Sequence, residues 1–318
     1  MPETPIQDDK AQYVVPFILS LLSAHQKQHS STTNPDAPPF FIGLNGVQGA
    51  GKTVLVDILK STLSSAPHNL PTVVFSLDDF YLTHADQVAL AQKHRDNPLL
   101  QHRGQPSTHD IPLVLSVFAS LKQNKPTKIP RYNKAAFSGQ GDRLPESEWD
   151  EVNGPSSPKV RVVLFEGWCV GFRPLSDEVL AAKHAAAVEA LRHSTPSNPY
   201  KGRLGHNSLE SVRTINEALK SYDALTTQLD AFIHIDALDP LYVYQWRLEQ
   251  EAGLRASRGS GMTDDQVREF VDGYYPAYEL YTDTLREGVF KGTREDWKGR
   301  QLRLVVGEDR KVREVVKI

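Results

Sequence analysis

The sequence predicts an α/β fold: a five-stranded parallel sheet with helices on both faces, helical insertions and a lid. Two observations predict it. Short apolar runs at 40–44, 72–77, 160–165, 231–236 and 302–306 alternate with longer helical patterns, the order that builds parallel strands through crossover helices. The first run also leads into Gly46-Val47-Gln48-Gly49-Ala50-Gly51-Lys52-Thr53, which fits the phosphate-loop pattern G-x-x-x-x-G-K-[ST]. In such a sheet, ligands sit beyond the carboxyl ends of the strands.

A length of 318 residues suits one α/β domain with insertions. The expected division is an N-terminal helix and linker over 1–38 and a P-loop NTPase-type domain over 39–318. Substrate-binding insertions are expected at about 99–158 and 175–229, and the lid at about 247–262. The N-terminal apolar run 14–22 has the length of a signal-peptide core. Glu3, Asp8 and Asp9 precede it with only Lys10 positive, and no small-residue cleavage pattern follows. The same acids are wrong for a transit peptide. An amphipathic helix over 9–28 is the better reading, followed by a Ser/Thr/Pro linker over 29–39.

The strand 40–44, the loop and a helix over 52–63 form the strand–loop–helix unit that phosphate binding needs. Its glycines let successive N–H groups turn towards phosphate oxygens, and the helix N-terminus adds partial positive charge. Gly46, Val47, Gln48, Gly49, Ala50, Gly51, Lys52, Thr53 and Val54 are therefore the candidate nucleotide contacts. Lys52 would reach the β/γ-phosphates, and the Thr53 hydroxyl would face Mg²⁺.

The strand 72–77 ends at Asp78-Asp79-Phe80-Tyr81, and a helix is expected over 84–94. Residues 99–110 are polar and irregular, and Asp110 caps a helix over 111–124. A short strand over 127–132 leads into a run ending at Arg143, and the acidic stretch 146–158 reads as a surface loop. The strand 160–165 closes on Glu166-Gly167-Trp168. Helices are expected over 176–193 and 208–229, with a connector between them. After the strand 231–236, Pro240 opens a helix to about 255, and 256–262 is a short loop. Thr263 caps a long helix towards 285, interrupted near Pro276, before the last strand.

Composition narrows the function. A net charge of −3 gives no general attraction to nucleic acid or anionic membrane, so neither is an expected partner. The single cysteine, Cys169, excludes an intramolecular disulfide. With no N-x-[ST] acceptor and no convincing signal or transit peptide, a cytoplasmic location is expected, the nucleus being the alternative. His94-Arg95-Asp96 begins like a protein-kinase catalytic loop, but Gln101 stands where Asn is needed and no D-F-G follows. Asn124-Lys125-Pro126-Thr127 lacks the aspartate of a guanine-reading motif.

Phosphoryl transfer needs a phosphate cradle, Mg²⁺ ligands, a group facing the attacking hydroxyl and cations over the γ-phosphate. Asp78, at the mouth of a strand, could accept a proton from a substrate hydroxyl, or Asp78 and Asp79 could cap a turn. Glu166 follows an apolar strand, as a Mg²⁺-orienting acid does, or it belongs to a structural ion pair. Basic groups cluster at Arg103, at Arg131 with Lys134 and Arg143, and at Arg247, Arg255 and Arg258. Arg255 and Arg258 suit a lid closing on the transferring phosphate. Taken singly, each arginine also suits solvated surface.

The motif order resembles the P-loop small-molecule kinases that include phosphoribulokinase, uridine kinase and pantothenate kinase. The residues concerned are Gly46–Thr53, Ser76-Leu77-Asp78-Asp79-Phe80-Tyr81, Arg103-Gly104…His109-Asp110, Pro130-Arg131-Tyr132-Asn133-Lys134 and Phe165-Glu166-Gly167-Trp168. The run from Arg131 to Arg143, Tyr244-Gln245-Trp246-Arg247-Leu248-Glu249-Gln250-Glu251, Met262-Thr263-Asp264-Asp265 and Tyr274-Tyr275-Pro276-Ala277-Tyr278 are similar to the plant-type D-glycerate 3-kinases and their fungal ATP-dependent relatives. The resemblance covers most of the chain from Pro39 onward. It implies ATP- and Mg²⁺-dependent transfer to the primary hydroxyl of a small, anionic acceptor, D-glycerate first, giving 3-phosphoglycerate. Other acceptors in the same class are a further polyol, a nucleoside or a vitamin precursor, and the rival class is an ATP-binding regulator.

By the same resemblance Asp78 is the base, Lys52 meets the phosphate, and Thr53 and Glu166 hold the metal; the lid residues Arg255 and Arg258 complete the expected catalytic set. Asp78, Tyr81, Arg103, Arg131, Tyr132, Lys134 and Arg143 are the expected acceptor contacts. Asn133 stands where the plant proteins are expected to carry Asp.

Overall fold

The computed structural model describes residues 8–29, 37–259, 261–292 and 297–318. Helix α1 (Ala11–His29) realises the expected amphipathic segment. Val14, Phe17, Ile18 and Leu22, spaced along one face, are buried against the domain. Most of the linker expected after it lies outside the described residues.

Strand β1 (Phe40–Gly46) is buried throughout and feeds the phosphate loop and α2 (Lys52–Ser64). Strand β2 (Thr72–Ser76) ends in a 3-10 turn over Leu77–Phe80. Helices α3 (His84–Lys93) and α4 (Ile111–Lys122) follow. As expected, Asp110 caps α4, its side chain accepting from the Leu113 N–H.

The next segment differs from the expected single strand and loop. It forms β3 (Thr127–Ile129), β4 (Tyr132–Asn133), β5 (Asp142–Arg143) and β6 (Asp150–Val152). β3 pairs with β6 and β4 with β5, both antiparallel. Pro130, which has no N–H to give a ladder, separates β3 from β4. Residues 134–141 between β4 and β5 make a strap beside the site.

Strand β7 (Val162–Gly167) and helix α5 (Asp177–Arg192) fall where expected. The helix expected over 208–229 is divided into α6 (Leu209–Leu219), a 3-10 turn over Lys220–Tyr222, and α7 (Asp223–Thr226). Tyr222, in the tightened turn, is buried, and its hydroxyl lies 2.7 Å from His109 Nδ1. Strand β8 (Ala231–Ala237) leads to α8 (Tyr242–Arg258) and α9 (Asp264–Glu287). Helix α8 runs to 258, so much of the expected lid is helical. Helix α9 is not interrupted at Pro276. The hydrogen bond that proline removes is offset by the burial of Tyr274, Tyr275, Ala277, Tyr278 and Tyr281 around it.

Strands β9 (Gln301–Val306) and β10 (Val312–Lys317) complete a sheet of order β10-β9-β8-β1-β7-β2. The five expected strands are parallel, and β10 adds an antiparallel edge. Its charged, largely exposed side chains protect that edge and give no apolar run to read. Among the described residues no helix is long and apolar enough to cross a membrane.

Gly43, in the middle of β1, marks how tightly the sheet is covered. A Cβ there would lie 2.6 Å from Leu229 Cδ1 and 2.7 Å from the Phe232 ring. Gly43→Ala is expected to cost about 1–3 kcal/mol in a denaturant titration. An unchanged midpoint would contradict this packing.

Candidate active site

The site follows from the register of three neighbouring strands. Leu44 of β1 and Ser76 of β2 both pair with Glu166 of β7. The carboxyl ends of these strands therefore present the phosphate loop, Glu166 and the Asp78 turn side by side. Asn45 fixes the level of the middle strand's exit, donating from Nδ2 to the carbonyls of Trp168 at 2.9 Å and Val170 at 2.8 Å.

On the loop side, Gly49 and Gly51 adopt left-handed φ values of 79° and 93°, which favour glycine. The Lys52 ammonium donates to the carbonyls of Gly46 at 2.7 Å and Val47 at 3.3 Å. The Gln48 N–H reaches the Tyr278 hydroxyl at 3.4 Å, and the Ala50 N–H reaches the Val47 carbonyl at 3.2 Å. Thr53 is exposed in the first turn of α2, and Val54 is half-buried behind it.

Three further residues pack beside the loop from distant parts of the chain: Trp246 falls in the 244–251 run, whereas no sequence motif announces Arg310 or Lys10. Arg310, in the β9–β10 turn, donates from Nε to the Gly49 carbonyl at 2.8 Å and pairs with Glu249 at 2.6 Å. Its guanidinium lies 5.3 Å from the centre of the Trp246 ring, and a Cβ on Gly49 would come within 2.5 Å of Trp246 Cβ. Lys10 is buried, 3.5 Å from Asp8, with its ammonium 3.7 Å from where a Gly51 Cβ would stand.

On the other side, Ser76 caps the turn that carries Asp78: its hydroxyl accepts from the Asp78 N–H, and Asp79 accepts from the Ser76 N–H. Asp79 is thus a turn-capping residue, while the Asp78 carboxylate pairs with Lys134 Nζ at 2.5 Å. Tyr81 stacks on His109 at 4.4 Å and meets Tyr132 edge-on at 5.3 Å. His109, present in the motif run but not singled out from sequence, joins this side through Tyr81 and Tyr222.

Lys52, Asp78, Glu166 and Lys134 form one electrostatic group. Burial lowers the Lys52 pKa, against the pull of Glu166 and Asp78. Burial raises that of Glu166, with Lys52 opposing. Burial also pushes Asp78 up, but the charge and hydrogen bond of Lys134, with smaller help from His109 and Tyr81, hold it below the usual carboxylate value. Burial keeps His109 neutral, pushed down to about 4 despite Asp78 nearby.

The other expected contacts have protein partners. Arg131 pairs with Asp150 at 2.6 Å, and Arg143 with Asp110 at 3.1 Å. Arg103 donates to strap carbonyls, and its guanidinium lies 5.6 Å from the centre of the Tyr132 ring. Arg255 bonds the Met262 carbonyl and pairs with Asp264 at 2.8 Å, tying α8 to the start of α9. The side chain of Arg258 lies outside the described residues. Among those residues no group of three or more His, Cys, Asp or Glu side chains could hold a metal ion by itself.

No family model matches the chain. It is 37% identical over 281 residues to an uncharacterized kinase of Schizosaccharomyces pombe, covering 87% of this chain and 91% of that protein. It is 38% identical over 255 residues to the chloroplastic D-glycerate 3-kinase of Arabidopsis thaliana, covering 79% of this chain and 49% of the longer plant protein. The solved structure of D-glycerate 3-kinase from Cryptococcus neoformans matches with a TM-score of 0.85 at 38% identity, over 98% of this chain and 100% of that one.

The ion pair predicts a titration. Lys134→Met removes the charge that holds Asp78 down and leaves burial to push it up. The Asp78 carboxyl, followed by ¹³C NMR, is expected to titrate at higher pH in that variant than in the unaltered protein. Identical titration would show that Lys134 does not set its charge.

Proposed function

The chain belongs to the D-glycerate 3-kinase family of ATP-dependent small-molecule kinases, and from that premise we propose that it transfers the γ-phosphoryl group of ATP to the primary hydroxyl of D-glycerate. The product is 3-phosphoglycerate. The observation that carries the reading is the lateral order Lys52–Glu166–Asp78 along β1, β7 and β2, with Lys134 closing the acceptor end. A regulator that only binds nucleotide has no use for the last two groups.

In this reading the loop residues 46–54 cradle the phosphates, and Lys52 gives up its bonds to loop carbonyls for the stronger charge-assisted bonds to phosphate oxygens. Asp78 receives the proton of the attacking hydroxyl as its oxygen bonds to the γ-phosphorus and the bond to the ADP oxygen breaks. Its low pKa keeps it ionised and ready at neutral pH. Lys134 has three donors, so it can hold Asp78 and still meet the carboxylate of the acceptor. Tyr81, Tyr132 and neutral His109 wall the acceptor side with groups that add no charge of their own. Arg255 reaches the transferring phosphate only by leaving Asp264, so its role depends on movement of the α8–α9 corner.

The donor set fits Mg²⁺. Thr53 and Glu166 are hard oxygen donors, and a site with one carboxylate suits an ion that completes its shell with phosphates and water. They would hold it where it offsets the charge developing between the β- and γ-phosphates.

Two variants test the assignment. Asp78→Asn should abolish transfer while ATP binding, measured by calorimetry, stays near normal; near-native turnover would remove Asp78 as the base. Lys52→Ala should cut turnover by about 10²–10³-fold or more, since charge at the γ-phosphate goes uncompensated. An ADP-release screen with glycerate, uridine, pantothenate and ribulose 5-phosphate separates the acceptors, and glycerate is expected to give the highest kcat/KM.

A further inference from the structure

We propose that Arg103 is a positioning residue that binds the strap between β4 and β5 and thereby presents Lys134 to Asp78, and that it is not itself a ligand of the acceptor. The inference deepens the proposed function and rests on its reading of Asp78 and Lys134 as the acceptor end.

The strap has an unusual backbone. Phe137, Ser138, Gly139 and Gly141 all have positive φ, at 49°, 57°, 93° and 87°. Two of these residues carry side chains, and such conformations persist only where surrounding contacts impose them. The strap's own turn hydrogen bonds and the stacking of Phe137 on His84 hold part of it, and the guanidinium of Arg103 ties its two ends. Its Nη1 donates to the carbonyls of Gly139, at 2.7 Å, and Gln140. Its Nη2 reaches the Lys134 carbonyl at 3.4 Å. The planar fork thus spans both ends of the strap, which a single ammonium cannot do.

Arg103 is itself held on the other side. Its carbonyl accepts from the Tyr274 hydroxyl of α9 at 3.2 Å, and a Cβ on Gly104 would stand 2.5 Å from Tyr274 Cζ. On the strap, a Cβ on Gly141 would lie 2.8 Å from Arg103 Nη1 and 2.5 Å from the Tyr132 ring. The guanidinium therefore sits in a tight slot between the strap and Tyr132, with both amino groups turned to backbone carbonyls. With three of its five N–H donors on strap carbonyls, Arg103 acts first as a clamp on the strap. What it delivers is the Lys134 backbone, from which Nζ reaches Asp78 at 2.5 Å. A second anchor, Asp142 Oδ1 accepting from the His84 N–H at 2.9 Å, holds the far end of the strap against α3.

A double-mutant cycle on the full chain tests the inference. Arg103→Ala and Arg103→Lys are expected to behave alike, each lowering kcat about 100-fold by displacing Lys134, with KM for ATP unchanged. Gly141→Ala, which crowds the same slot and leaves Arg103 in the sequence, should lower kcat in the same direction. Either Arg103 variant combined with Lys134→Met should be no slower than Lys134→Met alone, because both act through one ammonium.

The opposite pattern overturns the inference: Arg103→Lys retaining turnover with only a raised KM for the acceptor, or effects that multiply with Lys134→Met. Limited trypsin digestion gives an arm independent of activity. Cleavage after Lys134, mapped by mass, should quicken at least about tenfold in Arg103→Ala while the thermal melt keeps its cooperative transition. Unchanged cleavage would also overturn it. If Asp78→Asn keeps full turnover, the functional reading fails, and a quickened cut at Lys134 would still establish Arg103 as the anchor of the strap.

Discussion

Glu166 pairs with Leu44 on one side and Ser76 on the other, and this double register is the constraint on which the site depends. Side chains alternate along a strand, so a slip of one residue would turn each to the opposite face. The pairing instead brings three strand ends level, and the chain leaves each one differently. β1 turns through glycines into a helix, β7 closes on an acid and a glycine, and β2 tightens into a capped 3-10 turn. Buried β1 residues and the two hydrogen bonds from Asn45 keep that edge from shifting. The positions of Lys52, Glu166 and Asp78 are consequences of backbone pairing before they are consequences of charge.

Charge then sets the state of each group. Burial disfavours the ionised form of all three, which lowers the lysine pKa and raises those of the acids. Asp78 departs from that trend because Lys134 is close enough to outweigh burial. The Asp78 carboxylate is thus held low chiefly by a residue of the strap, outside the main sheet. Lys134 is itself exposed, so the pair stands at the open side of the site.

The fold was largely legible because its signals are local. Five apolar runs at βα spacing marked the parallel strands, and the phosphate loop located one exit without ambiguity. Strand β10 escaped because charges break up its valines at an exposed edge, leaving no apolar run longer than two residues. The division of β3 from β4 turned on Pro130, and the unbroken course of α9 through Pro276 on tertiary burial that no local pattern records.

Motifs marked Lys52, Asp78, Glu166 and Lys134, and the fold brings these four within electrostatic reach of one another. The site was not legible where support comes from afar: Arg310 reaches Gly49 across 261 residues, and His109 meets Tyr222 across 113. Basic residues in the motif runs all looked alike in sequence. Only their partners separate Lys134, on Asp78, from Arg131 and Arg143, which pair with other carboxylates.

The central claim is that one sheet edge joins a nucleotide half and an anionic-acceptor half into a single transfer site. ³¹P NMR of the full chain with ATP, Mg²⁺ and D-glycerate tests it most directly. The account predicts loss of the γ-phosphate signal, matched by growth of a phosphomonoester coupled to the C3 protons of glycerate. Loss of γ-phosphate to inorganic phosphate alone, or no loss at all with glycerate present, would contradict it.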